Sequence, residues 1–190
     1  MKILFLGPDC PSIESFLRQH HVVIRTEQKI HEQWLRDNDF DFAISYRYTH
    51  IIREPEIAFF GGRLINLHIS LLPWNRGADP NIWSYLENTP RGVSIHQIDK
   101  GLDTGPLLLQ KTVDIDIHSA TLQSSWEELN LEIQNLFLQH AFSLFSGSLP
   151  CYSPDCEGSI HRIVDKEPFA YLWQDKGWQT PVAELLGKAL

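Results

Sequence analysis

Short apolar runs alternate with helix-like segments along most of the chain. Residues 3–6, 22–24 and 42–45 form continuous runs of mostly aliphatic and aromatic side chains, as in strands that are buried on both faces. Most of these runs are followed by a segment that carries apolar residues on one side and polar residues on the other, which is typical of a helix. Because strands that alternate with helices pair in parallel, the sequence predicts an α/β fold with a doubly wound, mostly parallel, Rossmann-like sheet.

The same pattern continues to about residue 147. We expect further strands over 64–68, 93–98 and 107–113, and helices over 12–19, 29–37, 81–87 and 121–145. Ser12 is the expected N-cap of the first helix. Gly and Pro residues over 147–150 end the longest helix. We therefore predict a core over 1–147 and a C-terminal tail over 148–190 that packs on it and closes with a helix over 180–189.

The composition excludes several functional classes. Hydrophobic residues make up 43% of the chain, enough for a buried core, and the net charge of −8 argues against nucleic-acid binding. No apolar run approaches the roughly 20 residues that a membrane span needs. The three cysteines are too few for a disulfide framework, and Cys151, Cys156 and His161 are too loosely spaced for a zinc site. We expect a cytoplasmic protein without a metal and without membrane or nucleic-acid partners.

Asn66 and His68 carry the first chemical signal. Alternate residues of a strand point to the same face, so both side chains emerge together at the end of a buried strand. Ligands of open α/β sheets bind beyond the carboxyl ends of the strands. An amide donor beside an imidazole suits acyl transfer to an amine, because the amide stabilises an oxyanion and the imidazole takes up a proton. A polar strand end with a hydrogen-bonded histidine is the open alternative.

Asp103 stands in the Gly-bracketed loop 101–106, directly after the strand expected over 93–98. A carboxylate there could hold the tautomer of His68 or raise its pKa. Read alone, an Asp between two glycines is also a common turn.

Taken together, Asn66-x-His68, residues 70–73 and Gly101-x-Asp103-Thr104-Gly105 resemble the motif set of the folate-dependent formyltransferase family. The resemblance is dense over residues 63–111 and looser elsewhere. It implies the formyltransferase fold, a catalytic core over 1–147, and N10-formyltetrahydrofolate as formyl donor. It also implies that Asn66, His68 and Asp103 form the catalytic triad.

The segment 45–52 is similar to the family's donor-binding segment, although Thr49-His50 stands where a Gly is usual. The residues that this resemblance assigns to the donor are Tyr46, Arg47, Tyr48, Thr49, Ile51, Leu71 and Leu102. Ordinary amphipathic packing of Tyr46 and Tyr48 is the alternative.

Three features narrow the choice of acceptor amine. The loop after the first strand reads Gly7-Pro8-Asp9-Cys10, and it lacks the glycine-rich phosphate cradle of glycinamide ribonucleotide enzymes. The chain is acidic and ends at Leu190, whereas methionyl-tRNA enzymes append a basic domain. Formyltetrahydrofolate hydrolases usually carry an additional N-terminal domain. We therefore expect a small amine.

The loop after the fourth strand resembles that of sugar N-formyltransferases and of peptide-synthetase formylation domains. We expect a nucleotide-linked amino sugar as acceptor, and a homodimer is possible. The candidate acceptor-binding residues are Trp74, Asn75, Arg76 and His96. Two alternatives remain open: formylation of an aminoacyl group in nonribosomal peptide synthesis, and a folate-binding module without catalysis.

Overall fold

A computed structural model describes all residues of the chain, 1–190. In chain order the regular elements are β1 (Lys2–Leu6), α1 (Pro11–Arg18), β2 (Val22–Thr26), α2 (Glu32–Asn38), β3 (Phe42–Tyr46), α3 (Glu54–Phe60), β4 (Leu64–His68), β5 (Arg76–Gly77), α4 (Pro80–Leu86), β6 (Gly92–Gln97), β7 (Leu107–Thr112), α5 (Leu122–Ser146) and β8 (Ile160–His161). Three 3-10 helices follow β8, over Ile163–Leu172, Gly177–Gln179 and Val182–Glu184.

The central sheet has six strands in the order β2-β1-β3-β4-β6-β7. Strand β1 pairs in parallel with β2 and with β3, and β3 pairs in parallel with β4. The α/β fold with a mostly parallel sheet is thus confirmed. Strand β4 has the bounds that the sequence predicts. It lies between β3 and β6, and just after β6 the N–H of Ile98 donates at 3.0 Å to the carbonyl of Leu64 at the start of β4.

The chain divides into two compact units, each made of three segments. The first contains Met1–His68, Ile95–Leu109 and Gln134–Ser153, and the second contains Ile69–Ser94, Gln110–Ile133 and Pro154–Leu190. The predicted boundary after residue 147 falls within a segment of the first unit, and it stays a prediction. No helix of the chain combines the length and the apolar character that crossing a bilayer requires.

The first unit is built on strands that are almost completely buried. All five residues of β3 are buried, and one side of the sheet packs in a cluster that includes Leu4, Leu6, Ala43, Phe60 and Leu64. Burial of apolar surface stabilises the folded state by about 25 cal/mol per Å². Because interiors are closely packed, this cluster restrains the strands that it covers.

The second unit centres on α4, whose residues 81–86 are all buried. His161 of β8 stacks on Trp83 with ring centroids 3.7 Å apart, and β8 pairs in parallel with β5. This pairing fixes the backbone of Arg76 and Gly77 against Ile160 and His161.

The sequence missed helix α3, although its start and end signals are present. The carboxylate of Glu56 accepts the backbone N–H of Arg53 at 3.1 Å, and Pro55 lies in the first turn. The helix ends at Gly61, whose φ of 55° suits a residue without a Cβ.

Two local predictions are wrong. The N-cap of α1 is Cys10 rather than Ser12, because Pro11 already occupies the first turn. The predicted helix over 180–189 is absent, and only Val182–Glu184 forms a 3-10 turn. The N–H groups of Gly187 and Ala189 instead donate at 2.9 Å to the carbonyls of Tyr85 and Leu86 at the end of α4. A continuous helix would use those N–H groups internally.

Candidate active site

Three polar side chains converge beside strands β4 and β6 in the first unit. Asn66 projects from β4, His96 from β6, and Asp103 from the loop after β6. The amide nitrogen Nδ2 of Asn66 lies 3.1 Å from Oδ1 of Asp103 and 3.3 Å from Nε2 of His96. Nε2 of His96 lies 3.4 Å from the same Oδ1. The structure therefore brings Asn66 and Asp103 of the predicted triad together, and it places His96, predicted as an acceptor-binding residue, in contact with both.

His68 stands on the other side of Asp103. Its Nδ1 lies 3.8 Å from Oδ2 of Asp103, a distance for ionic attraction rather than for a direct hydrogen bond. The two imidazoles of His68 and His96 are 6.3 Å apart and nearly perpendicular. Asp103 thus presents one oxygen to each ring.

The loop that carries Asp103 is held by local contacts. Oδ1 of Asp99 accepts the N–H of Gly101 at 2.9 Å and the hydroxyl of Thr104 at 2.7 Å. Asp103 itself has a φ of 52°, a left-handed conformation that Asp and Asn tolerate better than most residues. The chain then passes so close to β6 that a Cβ on Gly105 would stand 1.8 Å from the carbonyl oxygen of Gln97.

A cavity of about 330 Å³ opens beside these side chains in the first unit. Its volume lies at the lower end of the range for small-molecule sites. The residues that line it are Ser45, Tyr48, Thr49, His50, Ile51, Ile52, Asn66, His96, Ile98, Asp99, Lys100, Gly101, Leu102 and Asp103. Apolar side chains form much of the wall, while the amide, imidazole and carboxylate of the converging cluster meet at one part of it. This combination suits a flat, partly apolar ligand with a reactive polar end.

Four of the residues predicted for the donor line this cavity: Tyr48, Thr49, Ile51 and Leu102. The Tyr48 hydroxyl donates to the carbonyl of Gln28 at 2.7 Å and accepts the N–H of Ile30 at 3.2 Å. These bonds fix its ring as a wall of the cavity. Burial raises the pKa of this hydroxyl above its usual range.

The other predicted donor residues lie elsewhere. Tyr46 is buried and does not line the cavity; Nε2 of Gln134 donates to its hydroxyl at 3.1 Å. Burial is the main reason that the pKa of Tyr46 is raised. Arg47 is exposed with a φ of 55°, and its guanidinium lies 6.0 Å from the Tyr46 ring. Leu71 belongs to the second unit, where it is half-buried in the loop after β4.

The predicted acceptor residues Trp74, Asn75 and Arg76 all belong to the second unit. Trp74 is half-buried. Asn75 is completely buried, and its amide donates at 2.8 Å to the hydroxyl of Thr89. These surroundings give Asn75 a role in holding the loop and do not support the prediction that it contacts an acceptor.

Backbone carbonyls rather than a carboxylate hold the guanidinium of Arg76: Nη2 donates to Glu157 at 3.0 Å and Nε to Ser159 at 3.4 Å. These contacts do not neutralise the positive charge of the guanidinium. The side chain is therefore suited to binding an anionic group.

The sequence predicts no separate role for the remaining cavity residues: Ser45 and Ile52 stand within the predicted donor-binding segment 45–52, and Ile98 is not singled out at all. Their side chains look like ordinary strand and loop residues, and only the approach of three chain segments gives them a common surface. No group of three or more His, Cys, Asp or Glu side chains in the chain is arranged to hold a metal ion.

Comparison with known proteins identifies a family. The sequence profile described as "Formyl transferase" matches residues 18–137. A dTDP-4-amino-4,6-dideoxyglucose formyltransferase of Mycobacterium tuberculosis (strain ATCC 25618 / H37Rv) is 30% identical over 128 residues, which is 67% of this chain and 53% of that protein. A phosphoribosylglycinamide formyltransferase of Bacillus subtilis (strain 168) is 36% identical over 93 residues, 48% of this chain and 47% of that one. The chain thus spans about half the length of these relatives.

Solved structures agree with this comparison. The formyltransferase PseJ from Anoxybacillus kamchatkensis, crystallised with UDP-4,6-dideoxy-4-formamido-L-AltNAc and tetrahydrofolate, superimposes with a TM-score of 0.94. It is 42% identical, and the match covers 100% of both chains. A sugar N-formyltransferase from Shewanella sp FDAARGOS_354 has a TM-score of 0.80 at 20% identity, over 99% of this chain and 87% of that one, and it shares the fold.

Proposed function

The chain belongs to the formyl transferase family, and from that premise we propose that it transfers a formyl group from N10-formyltetrahydrofolate to the primary amine of a small molecule. The observation that carries this proposal is the hydrogen bond between Asn66 and Asp103 at the wall of the cavity, with His68 on the far side of the carboxylate. An amide donor, an imidazole and a carboxylate in this arrangement are the groups that acyl transfer to an amine needs.

The cavity suits the formyl donor. Ile51, Ile52, Ile98 and Leu102 supply an apolar surface on which a flat ring can lie, and the fixed ring of Tyr48 adds an aromatic wall. PseJ, 42% identical to this chain, was crystallised with tetrahydrofolate, which supports the choice of donor. The donor is a co-substrate, and its formyl carbon is bonded to N10.

In the transfer, the nitrogen of the acceptor forms a bond to the formyl carbon, and the bond between that carbon and N10 breaks. Asn66 is the candidate donor to the formyl oxygen as negative charge develops on it. His68 is the candidate base that takes the proton from the attacking amine and returns a proton to N10. Asp103 stabilises the imidazolium of His68 while it carries that proton.

The acceptor that we propose is a nucleotide-linked amino sugar. The support is the name of the mycobacterial relative and the UDP-sugar product in the PseJ crystals. Arg76, with its guanidinium on backbone carbonyls, is the candidate contact to a diphosphate, and Trp74 is a candidate contact to the sugar or base.

We further propose that the protein works in the cytoplasm and forms a homodimer. The three cysteines, Cys10, Cys151 and Cys156, are free thiols in the structure, which suits a reducing compartment. The homodimer is a prediction that gel filtration with light scattering tests directly.

The experiment is a formyl-transfer assay with an acceptor panel. N10-Formyltetrahydrofolate is mixed with the protein and one acceptor at a time, and the release of tetrahydrofolate is followed by absorbance while mass spectrometry records the formylated product. The panel contains UDP- and dTDP-linked amino sugars, aminoacyl thioesters, free amino acids, glycinamide ribonucleotide and a water control. We expect turnover with a nucleotide-linked amino sugar.

The other outcomes separate the alternatives. Turnover with an aminoacyl thioester alone overturns the proposed acceptor in favour of peptide-synthetase chemistry. Release of tetrahydrofolate in the water control, at the same rate with every acceptor, means hydrolysis. Tight binding of tetrahydrofolate without turnover on the whole panel overturns the proposed activity in favour of a binding module.

A further inference from the structure

His96 has a fixed tautomer because of a backbone contact. Its Nδ1 lies 2.7 Å from the carbonyl oxygen of Gln97, and a carbonyl can only accept a hydrogen bond. Nδ1 therefore carries a hydrogen. In the neutral ring the other nitrogen, Nε2, is then unprotonated and can only accept. The ring is almost completely buried and lines the cavity, so water does not readily replace these contacts.

Nε2 of His96 and Oδ1 of Asp103 share one hydrogen-bond donor, the side-chain amide of Asn66. The amide Nδ2 of Asn66 carries two hydrogens, and it lies 3.3 Å from Nε2 of His96 and 3.1 Å from Oδ1 of Asp103. Each hydrogen therefore has one acceptor. The two acceptors are 3.4 Å apart and repel each other unless the amide stands between them. If the amide were rotated by half a turn, its oxygen would face two acceptors.

We propose that His96 is a positioning residue for the reaction: through Nε2 it holds the side-chain amide of Asn66 with Nδ2 turned toward Asp103 and the cavity. The groups that face the His96 ring are the Asn66 amide, the Asp103 carboxylate, the Gln97 carbonyl and the more distant imidazole of His68. This inference rests on the proposed function, since it assigns the orientation of the group that meets the formyl oxygen.

The two hydrogen bonds of the Asn66 amide differ in strength. The bond to the Asp103 carboxylate is charge-assisted, whereas the bond to a neutral imidazole is not. A developing oxyanion therefore displaces His96 rather than Asp103. In the free enzyme, His96 holds the second hydrogen of the Asn66 amide in its orientation. The amide therefore needs no rotation when the donor binds.

The test is a double-mutant cycle of His96→Leu and Asn66→Ala, read as kcat. We expect His96→Leu alone to lower kcat about tenfold, the effect of one lost hydrogen bond, with little change in the Kd of tetrahydrofolate. In the Asn66→Ala background the same change should cost less than about twofold, because His96 then has no amide to hold. His96→Gln, which keeps an acceptor, should restore most of the activity lost in His96→Leu.

Equal losses from His96→Leu in both backgrounds overturn the proposal, since they mean a role that does not pass through Asn66. Failure of His96→Gln to exceed His96→Leu overturns it as well. His21→Leu, which removes a half-buried imidazole outside the cavity, is the control, and melting temperatures of all variants identify a loss of folding.

A second measurement does not depend on activity. The ¹⁵N NMR shifts of the His96 ring in the neutral form should show the proton on Nδ1, and the Asn66 side-chain amide signals should shift in His96→Leu. A proton on Nε2 in the neutral ring contradicts the proposal. If no acceptor of the panel is formylated by the wild-type protein, the proposed function fails, while this measurement still decides the role of His96.

Discussion

Nδ2 of Asn66 lies 3.1 Å from Oδ1 of Asp103, although 37 positions separate the two residues in the chain. The contact exists because β4 and β6 are neighbours in the sheet, and the loop after β6 that carries Asp103 reaches Asn66 in the middle of β4. It joins the candidate oxyanion donor to the carboxylate that also faces His68. Substitutions at this contact therefore separate catalysis from folding.

Asp103→Asn should lower kcat by about a hundredfold or more, because it removes the charge that stabilises the imidazolium of His68. Asn is the suitable replacement, since it tolerates the φ of 52° at this position and leaves the loop intact. Steady-state kinetics and a melting curve test this. Asp37→Asn on α2 is the control for loss of one surface carboxylate. A kcat for Asp103→Asn close to that of the wild type would remove Asp103 from the mechanism.

Ile51→Ser should weaken the binding of tetrahydrofolate by about tenfold, as expected from the loss of one aliphatic contact. Ile51 lines the cavity although it is 81% exposed, which leaves most of its side chain free to cover a ligand. We expect kcat at saturating donor to stay within about twofold. Calorimetric titration gives the Kd. Val22→Ser, at a strand residue that is 63% exposed and outside the cavity, should leave that Kd unchanged. An unchanged Kd in Ile51→Ser would contradict donor binding in this cavity.

Gly105→Ala should destabilise the fold by about 2–4 kcal/mol and abolish activity. The added Cβ would stand 1.8 Å from the carbonyl oxygen of Gln97, so the loop that carries Asp103 would have to move. Gly147→Ala is the matched control. Its φ is 65°, but no atom lies within 4 Å of an added Cβ, so it should cost only about 1–2 kcal/mol of backbone strain. Urea unfolding measures both, and equal losses would show that the close approach to β6 is unimportant.

The stability should fall as the pH rises above about 10, the usual pKa of tyrosine. Burial is the main cause that raises the pKa of Tyr46 and of Tyr85 in the folded protein, so the folded state keeps protons that the unfolded state releases. The unfolded state is therefore favoured as the pH rises through this window. Urea midpoints between about pH 8 and 11 test this.

Tyr85→Phe should make that decline shallower, because it removes one of the hydroxyls whose pKa burial raises. The lost hydrogen bond to Ser125 at 2.6 Å lowers stability at every pH and does not change the slope. Tyr171→Phe, at an exposed ring, is the control. A slope that is the same in all three proteins would show that the Tyr85 hydroxyl is not linked to alkaline unfolding.

Local sequence patterns predicted much of this fold. The run over 64–68 combines three aliphatic residues with the polar Asn66 and His68 on one face, and β4 has those bounds. The closing helix over 180–189 failed because tertiary contacts overrode propensity: the end of α4 takes the N–H groups of Gly187 and Ala189. Helical spacing in a sequence carries no information about such long-range bonds.

The site was predicted less completely than the fold. The grouping of Asn66, His68 and Asp103 was predicted from the resemblance of a motif set, but the contact of His96 with Asn66 depends on β6 lying next to β4, which no local pattern in the sequence encodes. Tyr46, in contrast, was predicted to contact the donor but does not line the cavity. It follows the cavity residue Ser45 directly, and successive strand residues face opposite ways, so its ring is buried against Phe5 and Gln134.

The most direct test of the central claim compares the wild-type protein with Asn66→Ala, using N10-formyltetrahydrofolate and the acceptor that the panel identifies. We predict that kcat falls about a hundredfold or more, the cost of removing one oxyanion donor, while the Kd of tetrahydrofolate stays within about threefold. Asn38→Ala, which removes a side-chain amide from the end of α2, should keep wild-type kcat. An Asn66→Ala protein that folds and turns over at the wild-type rate would contradict the account.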